Sequence, residues 1–313
     1  MKKIFCFLFL YIIANLAAIA QQDPQFTFNK ATLLSVNPGY AGSEGGMNGV
    51  ILNRYQWVEI EGAPKTMLLS AESSIHLIGA DDGVGINVMS DELGFQNNIS
   101  VRFDYSYRKK TELGNLGIGA SLGFCNMSIN GGSRWHAPTG INWRSPESMP
   151  ADKVSKSALD LGIGAFLNTP DYFVGASVTH VNQAPIVLDE KVSYYLARHY
   201  YLSGGYNIKL TDPLFELQPS VYFKTDAVAY QIDFLTDLVY KKRFSAGLNY
   251  RINDSVGILI RAEMNSGLRV GYAYDIITSA LSGYTGGSHE VFLSYSIDLG
   301  KNRNKKYKSV RFL

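Results

Sequence analysis

Ser100-Val101-Arg102-Phe103-Asp104-Tyr105-Ser106-Tyr107-Arg108 changes character at every residue. In an extended chain, successive side chains point to opposite faces. Val101, Phe103, Tyr105 and Tyr107 then share one face, and Ser100, Arg102, Asp104, Ser106 and Arg108 share the other. A helix built from these residues would mix the two sets. The stretch reads as a β-strand with an apolar wall backed by a charged one.

The same two-residue period recurs. Leu268, Val270, Tyr272, Tyr274 and Ile276 oppose Arg269, Gly271, Ala273 and Asp275. Val291, Leu293, Tyr295, Ile297 and Leu299 oppose Ser294, Ser296 and Asp298, and Tyr230, Ile232 and Phe234 alternate with Gln231 and Asp233. In a soluble sandwich the apolar face is the core. In an outer-membrane barrel it meets lipid, and the polar face lines the lumen. One strand cannot separate these cases, but strand number and connections can.

Fourteen segments carry the pattern: 47–58, 65–78, 83–90, 95–108, 115–127, 158–167, 172–181, 196–209, 214–224, 229–240, 243–252, 256–265, 268–276 and 289–299. Most approach the ten residues that a tilted strand needs to cross a bilayer, longer than a typical soluble strand. Connections after even-numbered segments are short: Gly79-Ala80-Asp81-Asp82, Asn168-Thr169-Pro170-Asp171, Thr211-Asp212-Pro213, Lys241-Lys242 and Ser266-Gly267. The three long ones, 128–157, 182–195 and 277–288, follow odd-numbered segments. Short turns at one end and long loops at the other are the asymmetry of outer-membrane barrels. The expected fold is therefore all-β: a transmembrane outer-membrane barrel of about 14 antiparallel strands.

Composition agrees. Among 313 residues there are 20 Tyr, 16 Phe, 3 Trp and 30 Gly, a mixture suited to strands and tight turns. The one long apolar run, Ile4 to Ala20, follows Lys2 and Lys3 and ends in Ala18-Ile19-Ala20, the pattern of a cleaved signal peptide. Removing residues 1–20 takes away two of the 29 basic groups and none of the 27 acidic ones. The remaining charge is near zero, which argues against nucleic acid as a partner. Cys6 leaves with the signal and Cys125 stays alone, so neither an intrachain disulfide nor a cysteine metal cluster is expected. The expected organisation is a signal peptide over 1–20, an N-terminal periplasmic or plug segment over 21–46, the barrel over 47–299 and a basic periplasmic tail over 300–313.

Signals for chemistry are weak, and no catalytic, cofactor-binding or metal residues are assigned. Gly119-Ala120-Ser121-Leu122-Gly123 matches the Gly-x-Ser-x-Gly nucleophile pattern, but that motif needs a sharp strand-to-helix turn and here lies within an alternating strand. His76, His136, His180, His199 and His289 are scattered, without ligand spacing, and read as strand-end or lumen residues. Asp81-Asp82 and Asp91-Glu92 lack the spaced ligands of a calcium loop and read as turn residues. Gly83-Val84-Gly85 has no following helix to offer a phosphate. Trp57, Tyr105, Tyr107, Tyr194, Tyr195, Tyr200, Tyr201, Tyr272 and Tyr274 read as an interfacial girdle, with a sugar-stacking surface as the functional alternative.

A family resemblance rests on particular residues. Gln22-Asp23-Pro24-Gln25-Phe26 is followed by Phe28-Asn29, by Asn37-Pro38-Gly39-Tyr40-Ala41-Gly42-Ser43, then by Arg54, Gln56-Trp57 and Gly62-Ala63-Pro64-Lys65-Thr66. Further on come His199-Tyr200-Tyr201-Leu202-Ser203-Gly204-Gly205-Tyr206, Pro219-Ser220, Tyr250-Arg251, Gly271-Tyr272-Ala273-Tyr274-Asp275-Ile276, His289-Glu290 and the ending Arg311-Phe312-Leu313. Together these resemble the PorP/SprF family of type IX secretion system membrane proteins of Bacteroidetes. The resemblance implies a non-enzymatic outer-membrane barrel without cofactors, assisting secretion or surface anchoring of large proteins of the adhesin or gliding type. It implies as partners secreted surface proteins with type IX C-terminal signals, periplasmic peptidoglycan-binding proteins, type IX ring or motor components, and outer-membrane lipid. Two rivals stand beside it. One is a transport barrel, porin-like or for apolar solutes, with Arg102, Asp104, Arg269 and Asp275 in its lumen. The other is an outer-membrane hydrolase using Ser121.

Overall fold

The computed structural model describes residues 23–76, 81–130, 153–189 and 192–297. The signal peptide, most of the 128–157 loop including His136, and the basic tail lie outside them. The strands in chain order are β1 (Met47–Tyr55), β2 (Lys65–His76), β3 (Asp81–Leu93), β4 (Gln96–Lys110), β5 (Asn115–Ile129), β6 (Val154–Asn168) and β7 (Tyr172–Thr179). Then follow β8 (Pro185–Asp189), β9 (Val192–Tyr195), β10 (His199–Tyr206), β11 (Ile208–Lys209), β12 (Phe215–Thr225), β13 (Tyr230–Tyr240), β14 (Phe244–Arg251), β15 (Ser255–Glu263), β16 (Leu268–Ile277) and β17 (Ser288–Ile297).

Apart from the small β8–β9 hairpin, these strands form one ring. Each pairs antiparallel with its sequence neighbour, β10 pairs with both β7 and β12, and β11 continues the β10 side against β12. β1 pairs with β17, from Met47 opposite Ile297 to Tyr55 opposite His289. The result is a closed barrel of 14 strands with no free edge, the geometry that lets a sheet sit in hydrocarbon. Among the described residues no helix is long and apolar enough to cross a membrane, so the crossing falls to strands.

The burial pattern is inside-out relative to a soluble protein. In β4, Phe103, Tyr105 and Tyr107 are exposed, while Asp104, Ser106 and Arg108 are buried. In β5, Ile118, Leu122 and Phe124 are 58%, 52% and 58% exposed, whereas Gly117, Gly119, Ser121 and Gly123 face inward. Soluble proteins do not leave such a continuous apolar band to water; lipid tails remove the cost.

The loop asymmetry holds. One end carries the end of β2 and the start of β3, the connections 111–114, 169–171, 210–214, 241–243 and 264–267, together with the start of β1 and the end of β17. The other carries 56–64, the end of β5 and the start of β6, the end of β7 and the start of β10, and 278–287, with tighter turns between. Two expectations need correction. Asp81-Asp82 and Asp91-Glu92 are not turn residues but lie within β3, which runs longer than the segment 83–90. A barrel strand tolerates acids wherever they point inward: Asp82 is fully buried, and Asp91 accepts from Thr66 Oγ1 at 2.6 Å. Likewise 182–195 is not plain loop, because it contains the β8–β9 hairpin. Ile186, Leu188 and Leu196 of this connection pack on Cys125, Met127 and Ile129, the inward positions of β5. The hairpin therefore folds into the mouth of the barrel.

Candidate functional site: the filled interior and its mouth

Residues 23–46 run through the ring from end to end. Asp23 lies among Thr179, His180, His199 and Lys224, at the long-loop end of their strands. Thr27 meets Asp275 and Glu290, Lys30 meets Asp237, and Asn37–Gly42 reach the short-turn ends of β2 to β6. The chain then turns at Ser43–Gly46 to enter β1. Residues 26–44 fill the interior.

Three kinds of contact fix this segment. The first is apolar. Phe26, Phe28 and Ala31 pack with Val50, Leu52, Leu68, Leu235, Leu259 and Phe292, the Phe28 and Phe292 rings 4.7 Å apart. Leu33, Leu34 and Tyr40 pack with Phe166 and Phe173, with Tyr40 edge-on to Phe166 at 5.0 Å. Burying such rings is favourable by roughly 1.5–3 kcal/mol each.

The second is ionic. Arg54 pairs with Asp275 at 2.7 Å and Glu290 at 2.9 Å, all three side chains at most 2% exposed. Arg54 also donates to Thr27 Oγ1 at 2.8 Å, and both Glu290 oxygens accept backbone N–H groups, from Thr27 and Phe28, at 2.8 Å. Arg251 grips Asp233 through two nitrogens and donates to the Phe26 carbonyl at 3.2 Å. Lys30 and Arg261 share Asp237, at 3.1 and 2.5 Å. Buried pairs repay their desolvation poorly, but removing one partner is expensive. Their effect here is to hold one segment in one register.

The third is close approach. The half-turn Leu33–Val36 and the 3-10 turn Pro38–Tyr40, capped by Asn37 Oδ1 on the Gly39 N–H at 2.9 Å, press backbone against the wall. A Cβ on Gly119 would sit 2.4 Å from the Pro38 carbonyl carbon, and one on Gly83 2.0 Å from the Ala41 oxygen. Only glycine admits this contact. Arg102 and Arg108 meanwhile donate to the carbonyls of Ser35 and Ala41.

The glycines of Gly119-Ala120-Ser121-Leu122-Gly123 thus have a packing explanation. Ser121 faces inward in mid-strand, opposite Asp104 on β4 and Gly162 on β6, with no strand-to-helix turn. Arg102, Asp104, Arg269 and Asp275 do line the lumen, as the alternation indicates, but three of them engage the chain's own N-terminal segment. Tyr201 does not join an outer girdle. It points inward and donates to Asp23. Tyr105, Tyr107, Tyr200 and Tyr272 are exposed on the outer side of barrel strands, while Tyr195 is exposed on the β8–β9 hairpin.

The mouth too is polar. His180, just past β7 with a positive φ of 52°, contacts Asp23 at 2.9 Å and Asp160 at 2.8 Å. Burial opposes a charge on His180, but Asp23 and Asp160 outweigh it and lift the imidazole to about 10. Burial likewise opposes the Asp23 carboxylate, but His199, His180 and the Tyr201 hydroxyl hold it well below its usual range. Sequence reading missed Asp23, Asp160 and the His180–His199 neighbourhood, because 156 residues or more separate Asp23 from Thr179, His180, His199 and Tyr201 in the chain.

A closed 14-strand ring with a lipid-suited exterior and a polar interior is an outer-membrane type of β-barrel. The family model described as type IX secretion system membrane protein PorP/SprF matches residues 18–295, and the chain belongs to that family. It is thus a membrane component of the type IX secretion system. No curated protein matches the chain in sequence. Similar solved structures include the outer membrane protein Omp33 of Acinetobacter baumannii, at 9% identity and a TM-score of 0.47, covering 80% of this chain and 98% of that one. The toluene transporter TbuX of Ralstonia pickettii gives 10% and 0.48, covering 85% and 92%. The CymD monoaromatic hydrocarbon channel gives 13% and 0.48, covering 85% and 93%. None of these likenesses says what this chain binds or carries.

Proposed function

We propose that this barrel is an outer-membrane accessory or anchor of the type IX system, acting by binding and without covalent chemistry on large exported surface proteins. The observation that carries this reading is the occupied interior. All of residues 26–44 but Val36 and Ser43 are buried, and the segment is ion-paired and hydrogen-bonded to the wall along its height, so the lumen holds the chain's own segment. The faces left for a partner are the two ends. With the short turns periplasmic, as in barrels of this kind, the loops within 128–157, 182–195 and 277–288 face outward and would engage the exported protein. The basic tail 300–313 would meet periplasmic peptidoglycan-binding, ring or motor components. The inward-folded apolar side of β8–β9 is spent on the barrel, which leaves Val187 and Tyr195 of that hairpin for a partner.

The test is deletion of the gene followed by measurement of surface display of proteins bearing type IX C-terminal signals. Reduced display, restored by the wild-type gene, supports the reading. Undiminished display together with open-channel conductance of the purified barrel in planar bilayers would replace it with the transport reading.

A further inference from the structure

The mouth cluster holds an arrangement that its ion pairs alone do not require. Asp23, His180 and His199 each present a metal-ligating atom within 4.8 Å of the other two. The orientation of both imidazoles is set by an oxygen on the far nitrogen. His180 Nδ1 lies 2.8 Å from Asp160 Oδ1, and His199 Nδ1 lies 2.9 Å from the Ala197 carbonyl. Each Nε2 is thereby aimed at Asp23: that of His180 at the carboxylate, 2.9 Å from Oδ1, and that of His199 at the backbone N–H, 3.3 Å away. An Nδ1–H held by a carboxylate or carbonyl, with Nε2 turned toward the ion, is the outer-shell pattern of metal-ligating histidines; at His199 an ion would take the place of the long Asp23 N–H contact, and the His199 Nδ1 already lies 3.8 Å from the Asp23 carboxylate. The rings meet edge-to-face, 6.1 Å apart at 76°, so their edges converge instead of stacking.

The surroundings allow an ion. The cluster borders a cavity of about 60 Å³, also lined by Asp91, Ser100 and Cys125. That is ample for one cation and a water. Lys224, the nearby cation, donates to the Asp23 carbonyl at 2.8 Å and not to its carboxylate. Tyr201 takes one carboxylate oxygen as a donor and leaves the other toward His180.

We propose that Asp23, His180 and His199 form a binding site for one divalent transition metal of the zinc class, with water completing the shell. Two imidazoles and a carboxylate suit zinc, cobalt or nickel and not the all-oxygen shells of calcium or magnesium. The ion would join the N-terminal segment to β7 and β10, tying the upper end of the lumen filling to its wall.

The experiment uses the chain without a histidine tag, in detergent micelles, stripped with a chelator and titrated calorimetrically with zinc at pH 7. One zinc per chain is expected, with cobalt giving tetrahedral absorption bands. His199→Ala should weaken binding by at least about 100-fold, and Asp160→Asn, which touches only His180, by about 10- to 100-fold. His76→Ala, on an exposed histidine at the other end of the barrel, should change nothing. Folding is checked by the heat-dependent gel shift of the barrel; should His199→Ala fail it, Asp160→Asn and the cobalt spectrum decide. Wild-type protein that takes up no zinc, or binds it no better than the folded variants, overturns the proposal.

Discussion

Replacing Glu290 with glutamine keeps the shape of the side chain and removes its charge. In the wild type, one oxygen accepts from Phe28 N at 2.8 Å, and the other accepts from Thr27 N at 2.8 Å and Arg54 Nη1 at 2.9 Å. Glutamine has a single oxygen. If it keeps Phe28, its amide nitrogen confronts the Thr27 N–H and the Arg54 guanidinium, donor against donors. Two charge-assisted bonds are lost, each about 1.5–3 kcal/mol. The sum, about 3–6 kcal/mol, overlaps the roughly 3–5 kcal/mol cost of breaking a buried pair, and Asp275 remains to neutralise Arg54. At 1.4 kcal/mol per tenfold, the upper half of the segment should open roughly 10²- to 10⁴-fold more often. Hydrogen exchange in nanodiscs reads this directly. A peptide covering residues 26–36 should exchange at least 100-fold faster in Glu290→Gln, while peptides from β14 and β15 hold their rates. A change under tenfold would mean that the ionic cluster does not set the docking of the segment, and the reasoning would fail.

Gly119→Val should destabilise the same segment by about 1–3 kcal/mol or more through overpacking against Pro38, seen as faster exchange over residues 36–42; Ser121→Ala, two positions on, should leave exchange unchanged. Phe103→Arg, on an outward position 58% exposed, should cost about 2–4 kcal/mol of barrel stability in lipid, measured by urea unfolding in vesicles, while Phe103→Leu stays near neutral. The Asp23–His180 link should have two pH limits in chelator-containing buffer. Asp23 titrates below its ordinary 3.8, so its contribution is present above that value and lost as the pH falls further. His180 titrates near 10 against an ordinary 6.5, so its contribution is full below 6.5, fades between, and is gone above 10. Exchange of the 23–26 peptide at acid, neutral and alkaline pH checks both limits, and His180→Gln should abolish the alkaline one.

Much of the wall was legible in the sequence, because a two-residue period needs only local reading. The fourteen segments are the fourteen strands, and Arg102, Asp104, Arg269 and Asp275 point where alternation puts them. Local reading erred where charge was equated with solvent. Asp81-Asp82 and Asp91-Glu92 look like turns until the interior is known to be polar. Tyr201 carries no local mark distinguishing it from Tyr200, yet a one-residue phase sends it to the opposite face. The interior site was less legible. Asp23 meets His180 and His199, His180 in turn meets Asp160, and Thr27 meets Asp275 and Glu290, only because the N-terminal segment runs inside the folded barrel. The nearest hint was chemical: the inward phase carries both signs of charge in comparable number, an excess that a water-filled channel does not need and a docked polypeptide does.

The segment that fills the ring precedes β1, and the seam of the ring is β1 against β17. Biogenesis therefore faces an ordering problem. Until Ile297 finds Met47 the cylinder is open along one side, and residues 23–46 can be laid in laterally. Once the seam zips, Lys30 and Asp23 would have to be dragged upward past a gauntlet of arginines. The tidy route is for the chain to swallow its own leader before it shuts, which makes the last hairpin the door and the first twenty-odd described residues the cargo it closes upon.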